Sequence, residues 1–286
     1  MSDSHDQQPQ QTMDNGTVTY SVDGHVATVT MRRPDIANAL DAAMIEDLDE
    51  ALATAEADDG VRVIILAGEG RHFCSGHDLA ELMAAEEHWA AMRDTPEGKL
   101  EHETSMYLEP CLRWRNTAKV TIAAVQGACA AAGLMLACMC DLIVAGDDAK
   151  FSNPVLRMSG AGVELLVEPW ELGARRAKEF LLCARKLSAA EAESAGMVNR
   201  VVPTADLMTA ASALAAEVAL VPPVTATAVK GTINFTLDRQ GQADSWKHHF
   251  MVHQFVSATD TATSMSARRS EGGMDAVKAE QDGKPH

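Results

Sequence analysis

What this chain lacks narrows the field first. It has no run of eighteen apolar residues, so no segment reads as a membrane-spanning helix. It also has no Lys/Arg-rich block, and its formal net charge is −17. Binding a phosphate backbone needs a concentrated basic face, so the balance argues against nucleic acid and against anionic membrane surfaces as partners. A small anionic ligand stays possible, because a few local cations and helix N-termini can hold phosphates against an unfavourable global charge. Six cysteines, Cys74, Cys111, Cys129, Cys138, Cys140 and Cys183, show neither a disulfide framework nor zinc-site spacing. They read as reduced thiols in a cytoplasmic setting, with Cys138-Met-Cys140 as buried small hydrophobes rather than a soft-metal pair. No metal site is expected. The nucleotide-binding patterns G-x-x-x-x-G-K-[ST] and strand-linked G-x-G-x-x-G are missing, as is any internal repeat. The opening MSDSHDQQPQQTMDNG has no apolar core, so residues 1–16 are expected to form a disordered leader rather than a signal or anchor.

What is present points to an α/β core. With 286 residues, 47% of them hydrophobic, the chain can bury a large core as one domain or one domain plus an appendage. Thr17 to Val22 and His25 to Met31 alternate around Asp23-Gly24, which predicts a β-hairpin. Asp41 is placed to cap a helix through about Ala57 whose apolar residues Met44, Ile45, Leu48, Leu52 and Ala55 share one face. VRVIILAG and VTIAAVQG read as strands buried on both sides. Helices are expected from about Asp78, from Leu100 to Trp114 after a break at Thr95–Gly98, from Trp170 to Ala184, after Ser188, and from Pro222 to Leu237. The expected division is an α/β core over residues 17–203 and a helical region with a polar tail over 204–286.

Each buried strand feeds a loop of small residues and then a helix: GEGRHFCSGHDL after the first, QGACAAAGLMLACMCD after the second. Small side chains let a ligand approach the backbone, and a helix that starts at once points unpaired N–H groups at it. Tight strand–helix packing would use the same residues, but two such loops in one chain are more informative than either alone. FCSGHDL, followed by AAVQGACAAAGLMLACMCDLIVAGDDAKF, with RPDIANAL before and LSAAEAESAGMVNRVVP after, resembles the crotonase (enoyl-CoA hydratase/isomerase) superfamily from about Val18 to Lys230. The resemblance implies a spiral of ββα units, a helical C-terminal trimerisation region giving a homotrimer or dimer of trimers, and an acyl-CoA thioester substrate with no separate cofactor. It implies that the backbone N–H groups of His77 and Ala132 bind the thioester oxygen, although the family usually has glycine at the second position. His77, Asp78, Leu79 and Ala80 match the segment that follows the CoA moiety. Asp78 also reads as a helix cap.

The same resemblance exposes two gaps. The places of the two hydratase glutamates hold Met135 and Val155, neither of which can transfer a proton. Family isomerases carry one acid a little further on, in the segment SGAGVELL; the ungapped match falls on Val163, and a one-residue slip gives Glu164. Apolar neighbours would desolvate Glu164, whereas a helix-start carboxylate would face water. Glu168 and Glu171, beside Pro169, read as first-turn acids. Thioester-enolate chemistry is therefore expected, with one-acid isomerisation at least as plausible as hydration. The alternative is a non-catalytic acyl-CoA binder or assembly subunit. Met83, Met92, Met106 and Met135 read either as core or as an adaptable acyl-pocket lining.

Overall fold

The computed structural model describes residues 10–84 and 95–283, the side chains of 82–84 excepted. Order begins before residue 17: β1 (Gln11–Thr12) pairs antiparallel with Tyr20 and Thr19, and Met13 is buried. The described part of the expected leader is thus tied to the sheet. The hairpin is β2 (Val18–Asp23) with β3 (Val26–Met31), and because Asp23 pairs with Val26 its turn is Gly24-His25 rather than Asp23-Gly24. Next come β4 (Val63–Gly68), β5 (Val120–Val125), β6 (Ala128–Ala130), β7 (Leu142–Gly146), β8 (Lys150–Ser152), β9 (Lys186–Ser188) and β10 (Arg200–Val202). The main sheet runs β1-β2-β3-β4-β5-β7-β10, parallel from β3 onward; β6-β8-β9 form a second, smaller sheet.

The helices are α1 (Ala42–Ala57), α2 (Leu79–Ala84), α3 (Pro96–Glu103), α4 (Glu109–Asn116) and α5 (Ala132–Met139). After them come α6 (Glu168–Leu172), α7 (Ala174–Leu182), α8 (Ala189–Ala195), α9 (Leu207–Val218), α10 (Pro223–Arg239), α11 (Gln242–Ser257) and α12 (Asp260–Gln281). Asp41 caps α1 by accepting from the Met44 N–H at 2.8 Å. Ser188 and Glu191 form a reciprocal capping box on α8.

The all-apolar strands are explained by cover on both faces. Ile64, Leu66, Ala123 and Val125 share one core with the hairpin and α1, while Val63, Ile65, Ile122 and Ala124 meet Leu207, Ala211 and Leu214 of α9. The helical region expected from residue 204 is therefore not separate from the core, since its first long helix covers a sheet face. Three further expectations shift. The break at Thr95–Gly98 is a helix start, with Thr95 accepting from the Gly98 N–H at 3.0 Å and Pro96 in the first turn, where no N–H is needed. The helix from Trp170 is two helices divided at Gly173, which has φ +72°. Strands β9 and β10 return to the sheets where continuous helix was expected. Among the described residues no single helix is long and apolar enough to cross a membrane.

Candidate active site

The two small-residue loops are stitched together by backbone. Phe73 N–H donates to the Gln126 carbonyl (2.8 Å), Cys74 N–H to the Ala128 carbonyl (3.1 Å), and Ala130 N–H to the Cys74 carbonyl (2.9 Å). On the other flank, Leu40 N–H donates to the Gly76 carbonyl and Asp78 N–H to the Leu40 carbonyl, both at 2.8 Å. In this parallel bridge Leu40 bonds to the neighbours of His77, so the N–H of His77 itself is turned away from Leu40. Neither that N–H nor the N–H of Ala132, first residue of α5, has an acceptor among the described residues.

Close approach dictates the glycines. A Cβ on Gly76, which has φ +100°, would lie 3.0 Å from the Ala131 Cβ and 3.3 Å from the Ala132 nitrogen. One on Gly133 would lie 2.5 Å from the Cys74 carbonyl oxygen. Ala131 stands where a glycine would be at ease, with φ 49° and ψ −118°, and its N–H is anchored on the Ser152 carbonyl at 2.9 Å. Such a conformation costs about 1–3 kcal/mol for a residue with a Cβ. The segment after the first loop behaves as expected: Asp78 accepts from the N–H groups of Ala80 (3.0 Å) and Glu81 (3.3 Å). Arg33 bridges Asp41 (2.8 Å) and Asp78 (3.0 Å), fixing this helix start against α1. His77, Asp78 and Leu79 are partly exposed and Ala80 is exposed.

Glu164 is not a solvent-facing helix-start acid. It sits in a bend between Met158 and α6 and is only 3% exposed; its Oε2 has no hydrogen bond and lies 3.8 Å from the His77 Nε2. Nothing near His77 in sequence suggests a carboxylate beside its ring, yet the fold supplies one. The Tyr107 ring packs over His77 with centroids 4.2 Å apart. Three groups hold the bend: His249 Nε2 meets the Val163 carbonyl (2.8 Å), Trp246 Nε1 donates to the Leu166 carbonyl (3.2 Å), and Leu165 N–H donates to the Met135 sulfur (3.3 Å). Met135, in the place of a hydratase glutamate, thus fixes the backbone beside Glu164. Val155, in the other place, packs against Gly160 and the core.

A small, partly open apolar cavity of about 20 Å³ abuts His77, walled by Met106, Tyr107, Cys111, Trp114, Met135 and Leu136 among others. That is room for about one water, so a ligand there must displace side chains. Met106 and Met135 are lining residues, as one of the two expectations had it; the Met83 side chain and Met92 lie outside the described residues. All six cysteines are free. Burial pushes the Cys74 and Cys140 thiols up to about 12 and raises those of Cys111, Cys129 and Cys138, which leaves them protonated.

Glu168 and Glu171 take no part in this group. Glu168 is buried, with Oε1 accepting from Asn153 Nδ2 at 2.7 Å while its Oε2 and the Asn153 Oδ1 are both unpartnered. A neutral carboxyl that donates back to the amide would satisfy both atoms. Burial raises the Glu168 carboxyl, and burial with the charge of Glu168 lifts Glu171 to about 7. Sequence reasoning missed Tyr107, Glu103 and His253, the last two described below. A signal for the C-terminal contribution existed: Trp246, His249, Phe250 and His253 fall on one face of a helix at three- and four-residue spacing.

Fold and loop geometry together define an α/β protein in which two small-residue loops are stitched side by side, and the comparisons name its class. A family model for enoyl-CoA hydratase/isomerase matches residues 21–271, so the chain belongs to that family. It is 39% identical over 249 residues to EchA13 of Mycobacterium tuberculosis, named as a candidate enoyl-CoA hydratase, covering 82% of this chain and 78% of that one. A crystal structure of a candidate enoyl-CoA hydratase from Mycobacterium smegmatis is 43% identical with a TM-score of 0.78, covering 84% of this chain and 93% of that one. An enoyl-CoA hydratase/isomerase from Xanthobacter autotrophicus Py2 is 28% identical with a TM-score of 0.85, covering 94% and 99%. The crotonase fold is therefore the observed one.

Two stability measurements test this description. Ala131→Gly releases the strained backbone at some entropic cost and should raise the melting temperature by about 2–4 °C, the scale of a 1 kcal/mol gain, whereas Gly133→Ala should lower it. The second concerns pH. The folded chain binds the Glu168 and Glu171 protons more tightly than the unfolded chain does, so it holds more protons as pH rises above the ordinary glutamate value of 4.5. Stability should therefore fall across that window, up to about 7 for Glu171, and Glu171→Gln should flatten the decline in melting temperature.

Proposed function

We propose that this protein is an acyl-CoA enzyme that stabilises a thioester enolate and uses Glu164 as its single proton-transfer group, with double-bond isomerisation as the reaction. The observation that carries this reading is the buried Glu164 carboxylate beside His77, whose backbone N–H has no acceptor among the described residues. The thioester oxygen would lie between the N–H groups of His77 and Ala132. Glu164 would take a proton from the carbon next to the carbonyl of a 3-enoyl thioester, leaving a dienolate, and return it two carbons further on, which gives the conjugated 2-enoyl product. One carboxylate suffices for that shuttle, because the proton it removes is the proton it returns.

Hydration asks for more. Water must be oriented and deprotonated as well, and general acid–base groups are worth roughly 10²–10⁴-fold each. With Met135 and Val155 in the glutamate positions, one of those contributions has no residue to supply it. The His77 segment through Ala80 would receive the CoA side of the substrate, and the cavity beside Tyr107 and Met135 the acyl chain.

Assembly belongs to the same proposal. Trp246 and Phe250 turn inward, Trp246 to hold the Glu164 bend, so neither belongs to a docking face. Phe235 and Phe255, 64% and 72% exposed, remain with Ile233, Val229 and Met251 as apolar surface on α10 and α11, which supports a homotrimer or a dimer of trimers.

Glu164→Gln should keep the fold and thioester affinity while lowering turnover of 3-hexenoyl-CoA by roughly 10²-fold or more. Near-parent turnover would reject the assignment, and a chain that binds the thioester without any turnover would be a binder instead. Ala132→Pro removes one donor at a first-turn position that tolerates proline, and should cost on the order of 10²–10³ in rate. His77→Ala keeps the N–H but loses the imidazole beside Glu164, so a smaller loss is expected. Sedimentation at micromolar concentration should show a trimer or hexamer; monomer alone would sink the assembly proposal.

A further inference from the structure

Behind Glu164 lies a second ionisable pair that the family resemblance does not bring in. Glu103, the last residue of α3, and His253, on α11, are 150 residues apart in the chain and meet at 3.1 Å between Glu103 Oε2 and His253 Nε2. Oxygens of Glu103 and Glu164 and a ring nitrogen of His253 all lie within 4.8 Å of one another. Lys99 Nζ stands 3.5 Å from Glu103 Oε1, and the Gln254 amide also donates to Glu103. Burial alone would push Glu103 up. The hydrogen bond and charge of His253, with Lys99 and Gln254, outweigh it and hold the carboxyl at about 2. Burial alone would likewise lower His253, but its hydrogen bond to Glu103 and the charges of Glu164 and Glu103 raise it. The two directions agree, as they must for an imidazole and a carboxylate that share a hydrogen bond.

The spacing also suits a divalent cation, but the charges do not call for one. Glu103 already faces Lys99, the His253 ring and the Gln254 amide. The remaining groups around His253 leave it as the cation that serves Glu164. His249, one turn earlier, is lowered by burial and spends its Nε2 on the Val163 carbonyl, and the Cys111 thiol near Glu164 stays protonated. The His77 ring approaches Glu164 from the other side, capped by Tyr107.

We infer that His253, oriented by Glu103, is a positioning residue that serves as the cationic partner of the buried Glu164 side chain and so holds it ready to accept a proton from the substrate. The inference rests on the reading of Glu164 as the proton-transfer group. It gives a partner to a carboxyl group that is 3% exposed and has one oxygen without a hydrogen bond among the described residues. It also gives α11 a task beyond packing, since the helix that holds the Glu164 bend also carries its cationic partner.

The test uses the full-length chain and two probes: isomerisation of 3-hexenoyl-CoA, and deuterium uptake from D₂O at the carbon next to the carbonyl of butyryl-CoA, which needs only a base and an oxyanion site. His253→Gln should lower kcat about 10-fold or more with KM within about twofold, and should move the acidic limb of the kcat–pH profile to higher pH. Glu103→Gln should act in the same direction while leaving the imidazole in place, which guards against a His253 variant that fails to fold. His253→Lys, which keeps a positive charge, should recover part of the loss. Unchanged kcat and pH profile in folded His253→Gln and Glu103→Gln, or a rise in KM alone, would overturn the inference while an inactive Glu164→Gln left the underlying reading intact. A Glu164→Gln protein that matches the parent with both probes would remove both.

Discussion

Three backbone hydrogen bonds, from Phe73 to Gln126, Cys74 to Ala128 and Ala130 to Cys74, are the constraint on which the site depends. They draw the loop after β4 against the loop after β5 and leave the N–H groups of His77 and Ala132 unspent. Much of the local sequence serves that approach. Glycine at positions 76 and 133 admits the neighbouring loop, small residues fill positions 128–132, and Ala131 tolerates a backbone conformation it would not choose. Strain at such a place persists only because the surrounding structure over-determines it, here through the Ser152 carbonyl, the Cys74 ladder and the start of α5.

Around that frame the proposed proton-transfer group stands at a new place. Where a hydratase glutamate would follow the second loop, Met135 uses its sulfur to steady Leu165, and the carboxylate appears instead at Glu164. Its support comes from the C-terminal helices: Trp246 and His249 hold the bend, while Glu103 and His253 meet beside it. A buried carboxylate is costly alone, so the ionic partners around it are part of the same arrangement rather than incidental packing.

Sequence made the frame legible because its rules are local. The apolar runs of β4 and β5, the Asp41 and Ser188 caps, the hairpin and the small-residue loops each declare themselves within a few residues, and the motif order identified the family. The Glu103–His253 pair had no such signature, since its members join only when α11 folds across α3. Glu168 was hidden for a related reason: a first-turn acid usually faces water, and only the fold reveals Asn153 opposite it. Short strands β9 and β10 were missed because three residues carry too little alternation to read. The role of Trp246 was hidden likewise, since only the fold brings its indole to the Leu166 carbonyl.

Between α3 and α4 the chain makes one π-turn, Thr104–Leu108, which winds an additional residue into the helix. Adding a residue to a helix rotates everything beyond it by about 100° relative to what came before. Glu103, just before the turn, looks toward α11, while Met106, Tyr107 and Cys111, within and after it, look into the cavity. The turn therefore lets one helix keep two alignments, one set by ionic partners and one by the apolar cavity. A one-codon deletion there would re-deal the cavity lining and leave the ionic end untouched.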